Sequence, residues 1–225
     1  MNIRNDDFYS HHFYYLIDRL FLNLYYLSMN LLRYLLFFVF LVSCTNNKNI
    51  NIFVKFPKNI VKIENKHAVF LSPERLKIKK IVKSEDCESW QLNYNFKKLL
   101  NDSYVKLLNS MFDDIVYVNK QLSIKEIEDQ KFNSFINFKD NFLFLEFYTL
   151  RNTGKLKISL TSEFVVEGNN KKVKNVIKSE QSWEKNVYFN CNVIEGVSKI
   201  GNLAFEGLMN QAHEKIYSSV KNIVR

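Results

Sequence analysis

Glycine, proline and histidine are scarce in this chain of 225 residues, and each shortage narrows the classes of function open to it. None of the five glycines lies in a strand-to-helix fingerprint, which excludes a glycine-rich phosphate-binding loop. A Gly-x-Ser-x-Gly nucleophile elbow is absent as well. Only two of the four histidines, His67 and His213, follow residue 12, too few for a multi-histidine metal site. We therefore expect no enzymatic activity, no metal and no cofactor.

The remaining ionisable groups also fit surface positions better than a catalytic site. The acidic run at residues 85–88 lacks the spacing and the glycine of a calcium loop, so we expect a solvated loop. Asp113 and Asp114, and the acidic residues at 126–129, are typical of helix ends and exposed surface. We place His67 beside a strand and His213 at the rim of the last helix. Cys87 has no evident partner to activate it as a nucleophile.

Positive charge is concentrated after residue 43. The chain carries a net charge of +9, and residues 1–43 contain three arginines and three aspartates, which cancel. A cationic surface attracts polyanions, so we expect anionic lipid or polysaccharide as a ligand class. Nucleic acid is not expected, because the lysines are dispersed between Lys77 and Lys178 without a binding motif.

An export signal is predicted near the amino end. Arg33 precedes an unbroken apolar run at residues 34–42, and the small residue Ser43 follows it. Nine residues of helix rise about 14 Å, far less than the roughly 30 Å of a bilayer core, so cleavage is favoured over retention. The segment Leu41-Val42-Ser43-Cys44 resembles the lipobox of bacterial lipoproteins. This resemblance implies that Cys44 is acylated, becomes the mature N-terminus and holds the protein to a membrane.

Residues 1–28 do not fit a simple leader, because they mix aspartates with aromatic residues. Residues 1–43 are assigned to the signal region, and because Met29 begins a compact leader by itself, we expect translation to start there. The alternative is one long membrane anchor over residues 13–42, although Asp18, Arg19 and Arg33 interrupt it at a cost of a few kcal/mol each.

Two further inferences concern the mature chain. Thr45 is not aspartate, and in the sorting pattern of lipoproteins this resembles residents of the outer membrane that face the periplasm. Cys87 and Cys191 form an even pair in an exported protein, which permits a disulfide. Two separate thiols are equally compatible with the sequence.

Hydrophobic periodicity predicts an acylated tether over residues 44–65 and a single domain over residues 66–225. Helices are predicted from the 3.6-residue period, which gives the last helix an apolar stripe from Val197 to Ile223, and strands from alternating or continuous apolar runs. Ser123 and Glu126 are predicted to form a capping box at the start of the second helix. We expect close packing against the sheet at the three glycines of the last helix, and a strand at 142–150 covered on both faces. The predicted helices span residues 93–112, 123–130 and 195–223; the predicted strands span 67–71, 76–82 (an extension of the first strand or a separate edge strand), 115–118, 132–138 (or an extended link), 142–150, 155–167 and 172–183.

One group of lysines is a candidate binding surface. Lys155 and Lys157 lie on the polar face of one predicted strand, and Lys172 and Lys174 lie on its hairpin partner. Together they would form an anion-binding patch. An ordinary solvated surface is the competing interpretation.

The predicted fold class is α+β: a two-layer sandwich of a mixed or antiparallel sheet with two main helices packed on one face. The order of elements, with Trp90 ahead of the first long helix, resembles small envelope lipoproteins such as the ABC-transport auxiliary and outer-membrane assembly lipoproteins. This resemblance implies a non-enzymatic accessory or assembly subunit of the bacterial envelope with a protein partner. The alternative is a transport-linked module that binds lipid or anionic polysaccharide.

Overall fold

A meander of three long strands forms the larger part of the sheet. The structure is a computed structural model that describes residues 50–71, 75–83, 94–150, 153–186 and 194–224. These residues belong to one compact unit, Asn49–Arg225. In chain order the elements are β1 (Ile63–Phe70), β2 (Leu76–Lys83), α1 (Phe96–Met111), β3 (Phe112–Tyr117), α2 (Ile124–Asp129), β4 (Ser134–Leu150), β5 (Thr153–Gly168), β6 (Lys171–Asn186) and α3 (Ile194–Val224).

The strands form one mixed sheet of six, in the order β3-β1-β4-β5-β6, with β2 also paired to β4. β4, β5 and β6 are antiparallel neighbours, whereas β1 and β2 run parallel to β4, and β3 runs parallel to β1. β1 and β2 lie one after the other along the same side of β4. β2 is thus a separate strand, and within the described residues its outer side has no strand beside it. The predicted α+β class with a mixed sheet is confirmed.

Arg75 marks the break between β1 and β2. The pairing of β4 with β5 shifts between Phe138 and Asn141, which interrupts the ladder at the same level. The Arg75 guanidinium donates a hydrogen bond of 2.6 Å to the Phe138 carbonyl and lies 4.8 Å from the centre of the Phe70 ring. A cation at the irregularity therefore supplies a hydrogen bond to a backbone carbonyl beside the interrupted ladder.

Both long helices cover the same face of the sheet. Alternate residues of β5, from Leu156 to Val166, are buried against them, as the alternation predicts. The Tyr104 ring of α1 lies 4.5 Å from the ring of Phe138 in β4, and Phe164 of β5 lies on the other side of Phe138. The stripe predicted for the last helix is buried throughout: Val197, Ile200, Ala204, Leu208, Ala212, Ile216, Val220 and Ile223.

On the opposite face of the sheet, the described residues provide cover at one end. There α2 packs Ile127 against Phe135 of β4 and Ala68 of β1. The predicted capping box of α2 is confirmed, since the Ser123 and Glu126 side chains each accept from the other's backbone N–H. Further along β4 no element of the described residues covers this face, and Phe142 is 44% exposed whereas its neighbour Leu143 is buried. The prediction that residues 142–150 are covered on both faces was therefore wrong.

The glycines of α3 mark close contacts, as predicted, but one of them does not face the sheet. A methyl group at Gly196 would lie 2.7 Å from the Trp183 ring of β6, and one at Gly207 would lie 2.5 Å from the Ser179 hydroxyl. A methyl group at Gly201 would instead lie 2.8 Å from Cδ1 of Ile52. Gly201 thus accommodates a segment that crosses the outside of the helices.

That segment, residues 50–62, is called the strap. Ile50 and Ile52 are buried in the main core, and the backbone N–H of Phe53 donates to Oδ1 of Asn202 in α3 at 2.8 Å. Farther along, the ring of Phe56 lies 5.0 Å from Nζ of Lys106 in α1. The residues predicted to form a tether thus include a stretch, from Ile50 onward, that is packed on the helices.

Candidate functional site

Three of the predicted site residues cannot be placed. Cys44, Cys87 and Cys191 lie outside the described residues, as does the acidic run at 85–88. Acylation of Cys44 and a bond between Cys87 and Cys191 therefore remain predictions.

The four lysines of the predicted anion-binding patch lie on the sheet face turned away from α1 and α3, which we call the open face. Its residues alternate with the buried ones along β4, β5 and β6, because successive side chains of a strand point to opposite sides. Lys155 and Lys157 lie near one end of the β5–β6 hairpin, and Lys172 and Lys174 lie near its turn. The two pairs are therefore separate along the hairpin.

Each of these four lysines is ion-paired with a glutamate. The Nζ to carboxylate distances are 3.0 Å for Lys155–Glu184, 2.6 Å for Lys157–Glu180, 2.8 Å for Lys172–Glu167 and 2.9 Å for Lys174–Glu163. Hydrogen bonds from Lys157 and Lys178 lower the pKa of Glu180 to about 2, so this carboxylate stays charged at any physiological pH. An anion on the open face would have to compete with these carboxylates.

Sequence reasoning identified the lysines but not all of their partners. Glu163 and Glu167 were visible on the polar face of β5, whereas Glu180 and Glu184 become partners only through the register of β6. That register follows from a two-residue turn in which Asn169 and Asn170 have φ angles of 47° and 55°. Consecutive left-handed residues are the signature of a hairpin turn that matches strand twist.

A shallow pocket lies beside this turn, between it and α2. The Glu167 carboxylate and the Lys172 ammonium face each other at its wall. Its lining residues are Ile124, Ile127, Glu128, Glu167, Gly168, Asn169, Asn170, Lys171 and Lys172. Two of the charged groups of the pocket, Glu167 and Lys172, are thus already engaged with each other.

His67 lies inside β1, rather than beside a strand as the sequence suggested. Its ring and the Ser134 hydroxyl are both fully buried, with Nδ1 2.8 Å from Oγ of Ser134. Nε2 lies 2.9 Å from the carbonyl oxygen of Glu64, which can only accept. Nε2 therefore carries the proton of the neutral ring, and Nδ1 accepts from the serine hydroxyl. This serine–histidine pair joins β1 to β4 and is closed to a substrate.

Acidification is expected to destabilise the fold through His67. Burial lowers the pKa of His67 below its ordinary 6.5, while the Glu64 carbonyl and Asp114 oppose the shift. Below pH 6.5 the unfolded chain binds a proton that the folded chain resists, so stability falls until the lowered pKa is reached. Urea unfolding across this pH range will show a smaller loss in His67→Gln than in the wild type. Identical pH dependence in the two proteins would contradict the assignment.

The other candidate groups are dispersed. Asp113 and Asp114, predicted at a helix end, lie instead in β3, where Asp113 pairs with Lys62 of the strap at 3.6 Å. Across the described ranges, no three side chains of His, Cys, Asp or Glu come together as a metal site. In the same ranges no helix combines the length and the apolar composition needed to cross a bilayer.

One surface residue was not recognised as a candidate from the sequence. Phe53 of the strap is 73% exposed, more than any other large apolar side chain in the part of the chain that the structure describes. The alternation around it, with Ile52 and Val54 packed inward, was the available signal. The outward side of the strap is therefore a second candidate surface.

No family model matches the sequence, and no curated protein matches it. Similar solved structures include a neuraminyllactose-binding hemagglutinin homolog from Helicobacter pylori, with a TM-score of 0.48 and 13% identity, covering 78% of this chain and 97% of that chain. A minor lipoprotein from Acinetobacter baumannii has a TM-score of 0.37 and 10% identity, covering 68% and 93% respectively. A hypothetical protein from Chlamydia trachomatis has a TM-score of 0.34 and 14% identity, covering 71% and 98%. Likeness at this level does not carry a function from those proteins to this one.

Proposed function

We propose that the protein is a non-enzymatic lipoprotein of the bacterial envelope, anchored by an acyl chain on Cys44. The observation that carries the proposal is the order of Arg33, an apolar run, Ser43 and Cys44 within a dozen residues. Ile50, six residues after Cys44, is already buried in the core of the domain. A lipid on Cys44 would therefore hold this domain directly at the membrane.

The absence of catalysis is part of the proposal. Among the described residues, the Ser134 hydroxyl and the His67 ring are arranged like a nucleophile and its base, but both are buried and bonded to each other and to the Glu64 carbonyl. A nucleophile must reach its substrate, and this hydroxyl is fully enclosed. The pair therefore serves the fold.

Residence in the outer membrane, facing the periplasm, is the finer part of the proposal and depends on Thr45, the residue after the acylated cysteine. The role proposed there is that of an accessory or assembly subunit, such as a transport auxiliary, with a protein partner in the envelope. Crosslinking in intact cells followed by mass spectrometry will identify that partner.

The second candidate is a transport-linked module that carries lipid or anionic polysaccharide. The lysines of the open face favour it, although glutamates already neutralise them. Such a module would retain a ligand through purification. Extraction of the purified protein followed by lipid and sugar analysis distinguishes the two, since an accessory subunit will carry no stoichiometric ligand.

The decisive experiment for the anchor is Cys44→Ser, with Cys87→Ser as the matched control. Cells grown with radioactive palmitate will label the wild type and the control, whereas Cys44→Ser will take up no label. Membrane retention after a high-salt wash will fall in the same variant, because a single residue supplies the anchor. Undiminished labelling of Cys44→Ser would refute acylation at that residue.

A further inference from the structure

The outward side of the strap combines positive charge with an exposed aromatic ring. Residues 50–62 contain three lysines and no acidic residue, and α1 beneath them adds three lysines against one aspartate. Lys55 and Lys58 are exposed, on either side of the inward-facing Phe56, and Phe53 projects its ring to solvent. Leu203 of α3, next to the Asn202 that holds the strap, is exposed as well. This surface has the composition of sites that bind at the membrane interface.

The open face has a different charge pattern. Its lysines alternate with glutamates, and Lys155, Lys157, Lys172 and Lys174 each lie within 3.0 Å of a carboxylate oxygen. Opposite charges at that distance nearly cancel the field at the surface. The positive charge on the side of the strap is therefore less neutralised by carboxylates than the positive charge on the open face.

The short segment between Cys44 and the strap determines which side of the domain lies near the lipid anchor. Five residues lie between Cys44 and Ile50, the first described residue, which is buried, and the six chain steps from Cys44 to Ile50 span about 20 Å when fully extended. The strap lies outside the helices, so a helix layer of about 10 Å and the sheet separate it from the open face. A chain fixed to a bilayer at Cys44 holds the side of the strap closer to that bilayer than the open face.

We propose that this side of the domain docks on the anionic surface of the bilayer that holds its anchor. Phe53 inserts at the level of the headgroups, and Lys55 and Lys58 contact lipid phosphates. The inference rests on the proposed anchoring at Cys44 and adds an orientation: the open face points away from the bilayer, toward the periplasm. Each lysine near an anionic surface strengthens docking about fivefold.

Photocrosslinking tests the orientation in the full-length protein. A benzophenone amino acid replaces Phe53 in one variant and, as the matched control, Val176 in the other, since Val176 is 58% exposed on the open face. Each protein is purified with its anchor and reconstituted into vesicles of phosphatidylcholine, with or without phosphatidylglycerol. After irradiation, lipid adducts will form at position 53, rise several-fold with phosphatidylglycerol, and remain at background at position 176.

Equal lipid adducts at the two positions, adducts mainly at 176, or no adducts at 53 would overturn the proposal, as would a protein adduct at 53 in intact cells. Lys55→Gln combined with Lys58→Gln provides a second measurement, with an expected loss of most of the phosphatidylglycerol-dependent adduct at 53. The intact mass of the same preparation reports acylation separately. An acylated protein without adducts at 53 refutes only the orientation, and an unacylated protein with adducts at 53 refutes only the anchor.

Discussion

Phe138→Ala will lower the free energy of unfolding by about 3–5 kcal/mol, the range seen when a buried phenylalanine is truncated. Phe138 is fully buried where the helical layer meets the sheet, with Tyr104 of α1 on one side and Phe164 of β5 on the other. Removing its ring leaves a cavity that the neighbouring backbone is poorly placed to close. Equilibrium unfolding in urea, followed by circular dichroism, measures the change.

Phe142→Ala is the matched control, because Phe142 lies on the same strand but on the open face. We expect it to lower the free energy of unfolding by no more than about 1 kcal/mol, as for most exposed positions. A loss as large as that of Phe138→Ala would mean that another layer covers this face, and the two-layer architecture would be wrong.

Gly168→Ala is expected to cost about 1–3 kcal/mol, the usual cost of forcing an extra group into a packed site. A methyl group there would lie 2.6 Å from the carbonyl oxygen of Asn133 and 2.9 Å from Cγ2 of Ile223. The carbonyl belongs to a backbone that is held in place, since the N–H of Asn133 donates to the carbonyl of Lys66 at 2.8 Å. The strain cannot be relieved by rotating a side chain. Thermal and urea unfolding will both record the loss.

Gly207→Ala adds the same methyl group at a position where the nearest atom belongs to a side chain that can rotate. Its new methyl group would meet the Ser179 hydroxyl, which can rotate away, and alanine is favoured over glycine in a helix by about 1 kcal/mol. We expect the free energy of unfolding to change by less than about 1 kcal/mol in either direction. If Gly207→Ala proved as costly as Gly168→Ala, rigid contact with the sheet would have to be assigned to both positions.

Local patterns predicted most of the elements. The 3.6-residue stripe of α3 identified eight of its core residues but missed Phe205 and Met209, which are also fully buried, and the Ser123–Glu126 pair located the start of α2. Alternation in β5 separated its two faces correctly, because one face is apolar and the other is charged. Such features depend on neighbours a few residues apart, which the sequence displays directly.

Features that depend on distant parts of the chain were less accessible. Phe142 and Leu143 are both apolar, so composition could not show that helices cover only one of their two faces. The strap resembled a linker because its inward residues pack on Gly201 and α1, which lie far away in sequence. His67 looked like a strand-flanking residue until Ser134 and the Glu64 carbonyl supplied partners for both ring nitrogens.

Within the candidate site, too, the local features were predictable from the sequence and the long-range contacts were not. A linear motif identified Cys44, and the lysines of the open face could be assigned to a polar strand face from alternation alone. Their pairing with Glu180 and Glu184 depends on the cross-strand register of β5 and β6, which sets the charge of that face. The contrast between a neutralised open face and a cationic strap followed only from the structure.

Mass spectrometry of the N-terminal peptide, taken from protein extracted from the membranes of its native cell, tests the anchor most directly. The result expected is a chain that begins at Cys44 and carries the mass of its acyl groups. A peptide that extends upstream of residue 44, with an unmodified thiol at Cys44, would contradict both the proposed localisation of the protein and its proposed role.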